Sequence, residues 1–465
     1  MKNAEDAIGR ITSRLLSWLG ERMPKAGNIA IRDFQKPGMG LSNETYLFNL
    51  TWEEAGAHKS QAMVLRCAPQ DHKVFPDYHL GRQFLIMKAL RNTDVPVPEM
   101  YWFEEDKTVI GSPFYLMERL YGRVLQDYPS YHGSGIYFEA TPEQRAKIWW
   151  GSLETLVKIN MLDWKSLGLD FLGEPEGGSD PIDRQLAYWE RYLAWIKDSE
   201  AERHPVLEKA MEWLAGNTYE PERVCLCWGD ARIGNTLYRP ADLEVMAAFD
   251  WEMAFLGDPE ADLAWFIFID RYLAEEYGLQ RLEGSPEPDE TVKRYEAITG
   301  WKVRNYFYNQ VFAAARFGMV LISVLKKMRR QGIPIEENML QNNFCTRTLA
   351  GLLGLEAPGG GRSVKNIHES LVTVQFNLTG PGGHDWYIVS DKGNAARHEG
   401  RAEDPTCLVR ASAGDWAALQ SGELNQLEAW STGRLVVEGD LNVMMRLKDI
   451  ISRFSRERSR PFPTE

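Results

Sequence analysis

At 465 residues the chain is too long for one ordinary hydrophobic core, so two or three domains are expected. With 44% hydrophobic and 26% charged residues it reads as a soluble globular protein. The formal charge of −13 argues against nonspecific binding to nucleic acid or an anionic membrane, while a local basic pocket would still suffice for a phosphorylated ligand.

The N-terminal stretch does not read as a signal peptide: Ile8, Ile11, Leu15, Leu16 and Leu19 have the spacing of one helical face. The most apolar later run, 311–325, is too short to span a bilayer and is interrupted by Arg316. A soluble cytoplasmic protein is therefore expected, with no transmembrane segment. Cys67, Cys225, Cys227, Cys345 and Cys407 fit neither a disulfide framework nor a metal motif, and Cys225 and Cys227 read as small buried residues on one strand.

Residues 29–52 read as two strands around a turn that holds Gly38, Gly40, Ser42 and Asn43. Glycines let backbone amides approach a phosphate, and Ser42 and Asn43 add donors; a plain hairpin turn explains the same residues. The strand 62–66 ends in Arg66, read as a phosphate ligand or as a solvated strand end. The helix 78–90 carries Leu80, Phe84, Met87 and Leu90 on one stripe and Gln83 beside it. Strands at 100–103 and 114–117 lead to Met117, Glu118 and Leu120, where backbone groups would meet an adenine edge. A helix starts at Thr141-Pro142, another follows Asp180-Pro181 with aromatics read as core, and His204 reads as a surface residue.

The stretch 224–262 concentrates the chemistry. Asp230, Asn235 and Asp250 lie along two short apolar strands, followed by Asp258, Pro259 and Asp262 at the start of a helix. Phosphoryl transfer needs this set: an Asp that takes the proton of the attacking hydroxyl, an Asn five residues on that holds magnesium, and a second Asp that holds the metal over the phosphates. Asp258 reads as a helix cap and Asp262 as a scaffold acceptor, while Glu252 reads equally as metal support or an exposed strand end. Helices are expected near 262–277, 289–299, 306–328 and 336–353.

A Gly-rich linker at 356–363 marks a boundary. Beyond it Val372, Val374, Phe376 and Leu378 alternate with polar residues, the period of a half-buried strand. Strands at 386–389, 407–411 and 434–438, a helix from Asp415 and a closing helix from Gly439-Asp440 complete the tail.

Trp228-Gly229-Asp230, Arg232, Asn235, Asp250, Glu252 and Gly257-Asp258-Pro259 resemble the aminoglycoside phosphotransferase/choline kinase-like family, closest to the branch found as the kinase part of acyl-CoA dehydrogenase fusions. Supporting pieces are 40–46, 64–66, 95–98, 111–117 and Arg184-Gln185, so the likeness covers residues 1–355. It implies an α+β, two-lobed protein-kinase-like fold (small lobe about 1–120, large lobe 121–355) with ATP and Mg2+ in the cleft. Asp230 would be the base, Arg232 a positive charge for the transferring phosphoryl, Asn235 and Asp250 the metal ligands, and Arg66, Ser42, Asn43, Met117, Glu118 and Leu120 the nucleotide contacts. The family's His before Gly229 is Trp228 here, and its helix Glu is Gln83, which cannot form the ion pair to the strand cation. Residues 364–465 resemble the sterol carrier protein-2-like domain, a small α/β fold that implies a fatty acyl, acyl-CoA or sterol ligand, with dimerisation or substrate delivery as the other roles. The expected function is a phosphotransferase acting on a hydroxyl of a small lipid-like or acyl-CoA-linked substrate. An antibiotic or other small-molecule kinase is one alternative, and a weakly active or inactive nucleotide-binding or lipid-binding protein is the other.

Overall fold

The computed structural model describes residues 2–36, 43–69, 73–173, 180–333, 335, 337–356, 372–391, 394–421, 424, 429 and 433–439. The expected turn at 37–42 with Ser42, the linker from 357, residues 422–423, 425–428 and 430–432 of the tail, and the closing helix from 440 lie outside these residues. The chain packs as two compact units. One is Met1–Val124 with Lys147–Ile267 and Pro286–Lys327; the other is Leu125–Ala146 with Phe268–Ser285 and Met328–Glu465. The stretch read as one large lobe therefore contributes to both.

In the first unit, β1 (Gly27–Gln35), β2 (Glu44–Glu54), β3 (Ala57–Cys67), β4 (Met100–Glu104) and β5 (Phe114–Glu118) form an antiparallel sheet in the order β1-β2-β3-β5-β4. Ala55 and Gly56, both at positive φ, make the two-residue turn that matches the twist of β2 and β3. Helix α1 (Lys2–Arg22) lays Leu15, Trp18 and Leu19 against Phe48, Leu65 and Phe114 of the sheet. Its apolar spacing thus closes the core of this lobe. Helix α2 (Leu80–Leu90) turns Phe84 and Tyr115 toward each other, 6.5 Å between ring centroids.

The helices that follow are α3 (Gly135–Glu139), α4 (Pro142–Asn160), α5 (Pro181–Trp195), α6 (Pro205–Gly216), α7 (Glu260–Glu275), α8 (Pro288–Thr299), α9 (Tyr306–Arg330) and α10 (Phe344–Leu353). Two short strand pairs carry the 224–262 stretch. Here β6 (Cys225–Cys227) pairs with β9 (Phe255–Gly257), and β7 (Thr236–Tyr238) pairs with β8 (Val245–Ala248). Asp180 caps α5 by accepting the Ile182 amide at 2.7 Å, as its place before Pro181 predicts.

Three details differ from expectation. Helices α3 and α6 were not anticipated. His204 is buried rather than exposed, because its ring finds a partner in Glu202 at 2.8 Å. The helix expected at 336–353 breaks: a 3-10 turn, Glu337–Leu340, precedes α10, which begins where Asn343 and Thr346 bond each other's amides at 3.1 and 3.0 Å.

In the second unit the tail forms a sheet in the order β12-β11-β10-β13-β14, made of β10 (Val372–Thr379), β11 (Asp385–Asp391), β12 (Asn394–Glu399), β13 (Cys407–Ser412) and β14 (Leu435–Gly439). Only the β10–β13 pairing within it is parallel. Val374, Phe376, Trp386, Ile388 and Val409 are buried, and Trp416 of α11 (Ala413–Ser421) packs edge-on to Phe376. Gln375, on the polar side of the alternation, is buried as well, because its amide bonds the Trp386 and Gly400 carbonyls and the Ala402 amide.

Leu15 has no exposed surface, so Leu15→Ala should lower stability by about 2–5 kcal/mol in urea unfolding of the full chain, whereas a loss under about 1 kcal/mol would mean that α1 is not part of this core.

Candidate functional site

The residues from Trp228 to Asn235 form a loop between β6 and β7, and both backbone amides at its start are held. Asp262, in the first turn of α7 and with no exposed surface, accepts the Trp228 amide at 2.6 Å and the Gly229 amide at 2.9 Å. Asn160 adds a bond at 3.2 Å. Burial holds the Asp262 carboxyl up at about 6, against the pull of those three donors. Gly229 sits at φ +85, and a Cβ there would fall 2.0 Å from the Met253 carbonyl oxygen. Only glycine fits this approach of the loop to the 250–253 segment.

The loop delivers Asp230 into a ring of donors. The Trp265 indole donates to its Oδ1 at 2.9 Å, Arg232 Nε reaches both oxygens at 3.1 Å, and Asn235 Nδ2 reaches Oδ2 at 2.7 Å. Asn235 also donates to the Asp230 carbonyl at 3.0 Å, so its amide nitrogen is committed and its carbonyl end is the part suited to a cation. The β7–β8 ladder sets Asn235 beside the next acid, since the Phe249 amide donates to the Asn235 carbonyl at 2.9 Å. Asp250 follows at φ 55, ψ 64, a left-handed backbone that Asp tolerates better than most residues.

Trp228 takes over a bracing task at the place of the expected His. Its indole donates to the Phe249 carbonyl at 2.7 Å, and its ring lies 5.7 Å from that of Trp251. Strand β6 is thereby tied to the segment that carries Asp250.

One residue of the sheet and one just before β2 meet this stretch. Arg66 of β3 pairs with Asp250, and Asn43 donates to Glu252 Oε2 at 2.8 Å. Burial works against the Arg66 charge, but Asp250, Tyr115 and Glu252 more than restore it and raise its pKa above the ordinary arginine value. Arg66 is thus no solvated strand end. Among the described residues its Nε and the Asn43 Oδ1 are buried atoms without a hydrogen-bond partner, an acceptor and a donor deficit that a phosphate and a donor group of a ligand would fill. Gln83 accepts the Tyr115 hydroxyl at 3.3 Å, and Tyr115 is the cross-strand neighbour of Arg66.

The other expectations divide. Asp258 is the cap predicted, accepting the Glu260 amide at 3.0 Å and the Tyr219 hydroxyl. Met117 is buried in the sheet, and the Glu118 amide is already bonded to Glu99 at 2.8 Å, so of the three hinge residues only Leu120 lies beyond the β5 ladder. All five cysteines are buried free thiols. Trp265 and Asn160 were not singled out from sequence; an indole inside an apolar helix carries no signal of its own.

Beside this centre lies a cavity of about 420 Å³ whose lining includes Asp77, Arg82, Arg184, Tyr188, Trp189 and Glu252. The lining thus holds two guanidiniums and two carboxylates together with aromatic rings. Among the described residues no group of three or more His, Cys, Asp or Glu is placed to hold a metal, and no helix is long and apolar enough to cross a membrane. Asn235 and Asp250 make a sparse oxygen pair, the kind that suits a magnesium ion completed by waters and phosphate oxygens.

Residues 33–300 match the phosphotransferase enzyme family, and residues 358–452 match the SCP-2 sterol transfer family. Acyl-CoA dehydrogenase family member 10 of Mus musculus is 30% identical over 297 residues, 62% of this chain and 26% of that protein. Acyl-CoA dehydrogenase family member 11 of Rattus norvegicus is 30% identical over 257 residues, 54% of this chain and 30% of that protein. The chain thus spans less than a third of the length of these curated relatives. A crystal structure from Ralstonia eutropha JMP134, assigned as an aminoglycoside phosphotransferase, superposes with a TM-score of 0.52 at 24% identity, over 73% of this chain and 95% of that one. That likeness establishes the kinase-like fold.

Because the fold raises the Asp262 pKa from 3.8 to about 6, the folded chain holds an extra proton across that window, and this group's contribution to stability falls as pH rises through it. Asp262→Asn should flatten the corresponding part of the curve of melting temperature against pH between 4 and 7; an unchanged slope would show that Asp262 is ionised throughout.

Proposed function

The chain belongs to the phosphotransferase enzyme family, and on that premise we propose that it transfers the γ-phosphoryl group of ATP, with Mg2+, to a hydroxyl of a small lipid-like or acyl-CoA-linked acceptor. The observation that carries this reading is the Asp230 carboxylate, aimed by Trp265, Arg232 and Asn235 and followed by Asp250, which pairs with Arg66 of β3. Asp230 takes the proton of the acceptor hydroxyl as its oxygen bonds to the γ-phosphorus; the bond to the bridging oxygen breaks and ADP leaves. Arg66 holds a phosphate group by donating its Nε–H, Asn43 accepts from a donor of the ligand through its Oδ1, and Leu120 borders the adenine. Arg232 offsets charge on the group in flight. Asn235, through its carbonyl oxygen, and Asp250 would hold Mg2+, which when bound neutralises phosphate charge.

The acceptor reading rests on the cavity lining. A polycationic acceptor calls for a surplus of acids, whereas here Arg82 and Arg184 balance Asp77 and Glu252 among aromatic side chains. An acceptor with an apolar body and an anionic or polar head suits that surface, and the names of the curated relatives favour an acyl-CoA link. We assign residues 1–355 to the phosphotransferase part and 364–465 to a carrier part that holds the acyl chain, joined by 356–363. The apolar sheet face around Phe376 and Trp386 supports a lipid ligand there, with a homodimer contact as the competing role.

In an ADP-release assay with hydroxyacyl-CoAs and small hydrophobic alcohols, Asp230→Asn should lower kcat by at least about 10²–10⁴-fold while ATP affinity by calorimetry stays near wild type, and chelation of Mg2+ should abolish turnover. Acceptor-dependent turnover that survives Asp230→Asn would overturn the proposal.

A further inference from the structure

Arg316 is the one charged residue in the apolar run 311–325, and the fold buries it in the middle of α9 with 1% exposure. Four rings surround its guanidinium: Trp265 at 4.6 Å, Phe312 at 5.1 Å, Trp189 at 5.3 Å and Phe255 at 5.4 Å. Nη2 donates to the Gly229 carbonyl at 2.8 Å, while Nε and Nη1 have no hydrogen-bond partner among the described residues. Burial lowers its pKa to about 10, with Asp262 the largest opposing influence. A buried cation with incomplete hydrogen bonding is costly, and replacing such a group with an apolar side chain of similar volume is often neutral or stabilising. Stability alone therefore does not account for an arginine here.

What Arg316 touches does account for it. The Gly229 peptide immediately precedes Asp230, and its amide is already fixed by Asp262. Arg316 fixes the carbonyl of the same residue. The ring nearest to the guanidinium, Trp265, is the one whose indole donates to Asp230 Oδ1. One side chain thus grips the peptide before the carboxylate and, through a stacked ring, the carboxylate itself.

We propose that Arg316 is a positioning residue for phosphoryl transfer, setting the direction of the Asp230 carboxylate through the Gly229 carbonyl and the Trp265 indole. The proposal rests on the reading of Asp230 as the base. Misplacement of a reacting group by about 1 Å is enough to cost around 10²-fold in rate. A residue that merely fills the core is replaceable by Met; a positioning residue is not.

Three full-chain variants test this: Arg316→Met keeps volume, Arg316→Lys keeps charge, and Trp265→Phe removes the indole donor while keeping a smaller aromatic ring. Each should fold and lower kcat by about 10–100-fold with the KM for ATP within about twofold of wild type. The double variant Arg316→Met/Trp265→Phe should lose little more than either single one, since both act on one carboxylate. Hydrogen exchange read by mass spectrometry should quicken at amides 228–232 in Arg316→Met, a readout that needs no turnover. Should Arg316→Met fail to fold, Arg316→Lys and Trp265→Phe decide through the same measurements. Wild-type kcat together with wild-type exchange at 228–232 overturns the proposal. If the wild-type chain transfers phosphoryl to no acceptor, the phosphotransferase reading fails by itself, and unchanged exchange in the variants then overturns the bracing role independently.

Discussion

The Asp262 carboxylate accepts the Trp228 and Gly229 amides from a fully buried position, and the direction of the loop that carries Asp230 depends on those two bonds. An acid in such a place is costly unless its oxygens are met by donors, and here Asn160 completes the set. Arg316 approaches the same peptide from its carbonyl side. Between an acid at the amide and a guanidinium at the carbonyl, Gly229 has no room for a side chain, because the Met253 carbonyl closes the third direction. The loop is over-determined by side chains from three helices, α4, α7 and α9, none of which lies within it.

A second constraint links the sheet to the acids. In a kinase small lobe a helix carboxylate holds the strand cation; here Gln83 bonds Tyr115, and Arg66 takes Asp250 as its countercharge. The exchange of Glu for Gln therefore moves the ion pair and does not abolish it. On the proposed function, a nucleotide phosphate and a cation each replace one half of that pair, and the orphaned Nε of Arg66 and Oδ1 of Asn43 lie where such ligands would be met. Trp228 shows the same economy, since an indole donating to Phe249 ties the loop to the segment that carries Asp250 where a His was expected.

Much of the site was legible because its parts are neighbours in sequence. Asp230, Asn235, Asp250, Asp258 and Asp262 fall within one stretch of short strands and a helix start, so spacing alone suggested their order. Asp258 was readable as a cap from the proline after it. Arg66 showed as a cation at a strand end, though not its partner 184 residues away. Asn43 and Glu252 meet across 209 residues, and no local pattern predicts that contact. His204 was misplaced for the same reason: exposure follows from what packs on a residue, and Glu202 made burial of its ring acceptable.

By itself the sequence determined the periodicities that make the two sheets and the helices, the order of the chemistry-bearing residues and the change of character at the linker, because propensity and alternation act over a few residues at a time. Tertiary structure alone decided which donors converge on Asp230, that Arg66 answers to Asp250, and that the arginine in an apolar helix grips the loop. The reason is physical. The energy of a buried charge or an unpaired polar atom is set by whatever surrounds it in space, and those surroundings come from segments that spacing along the chain does not connect.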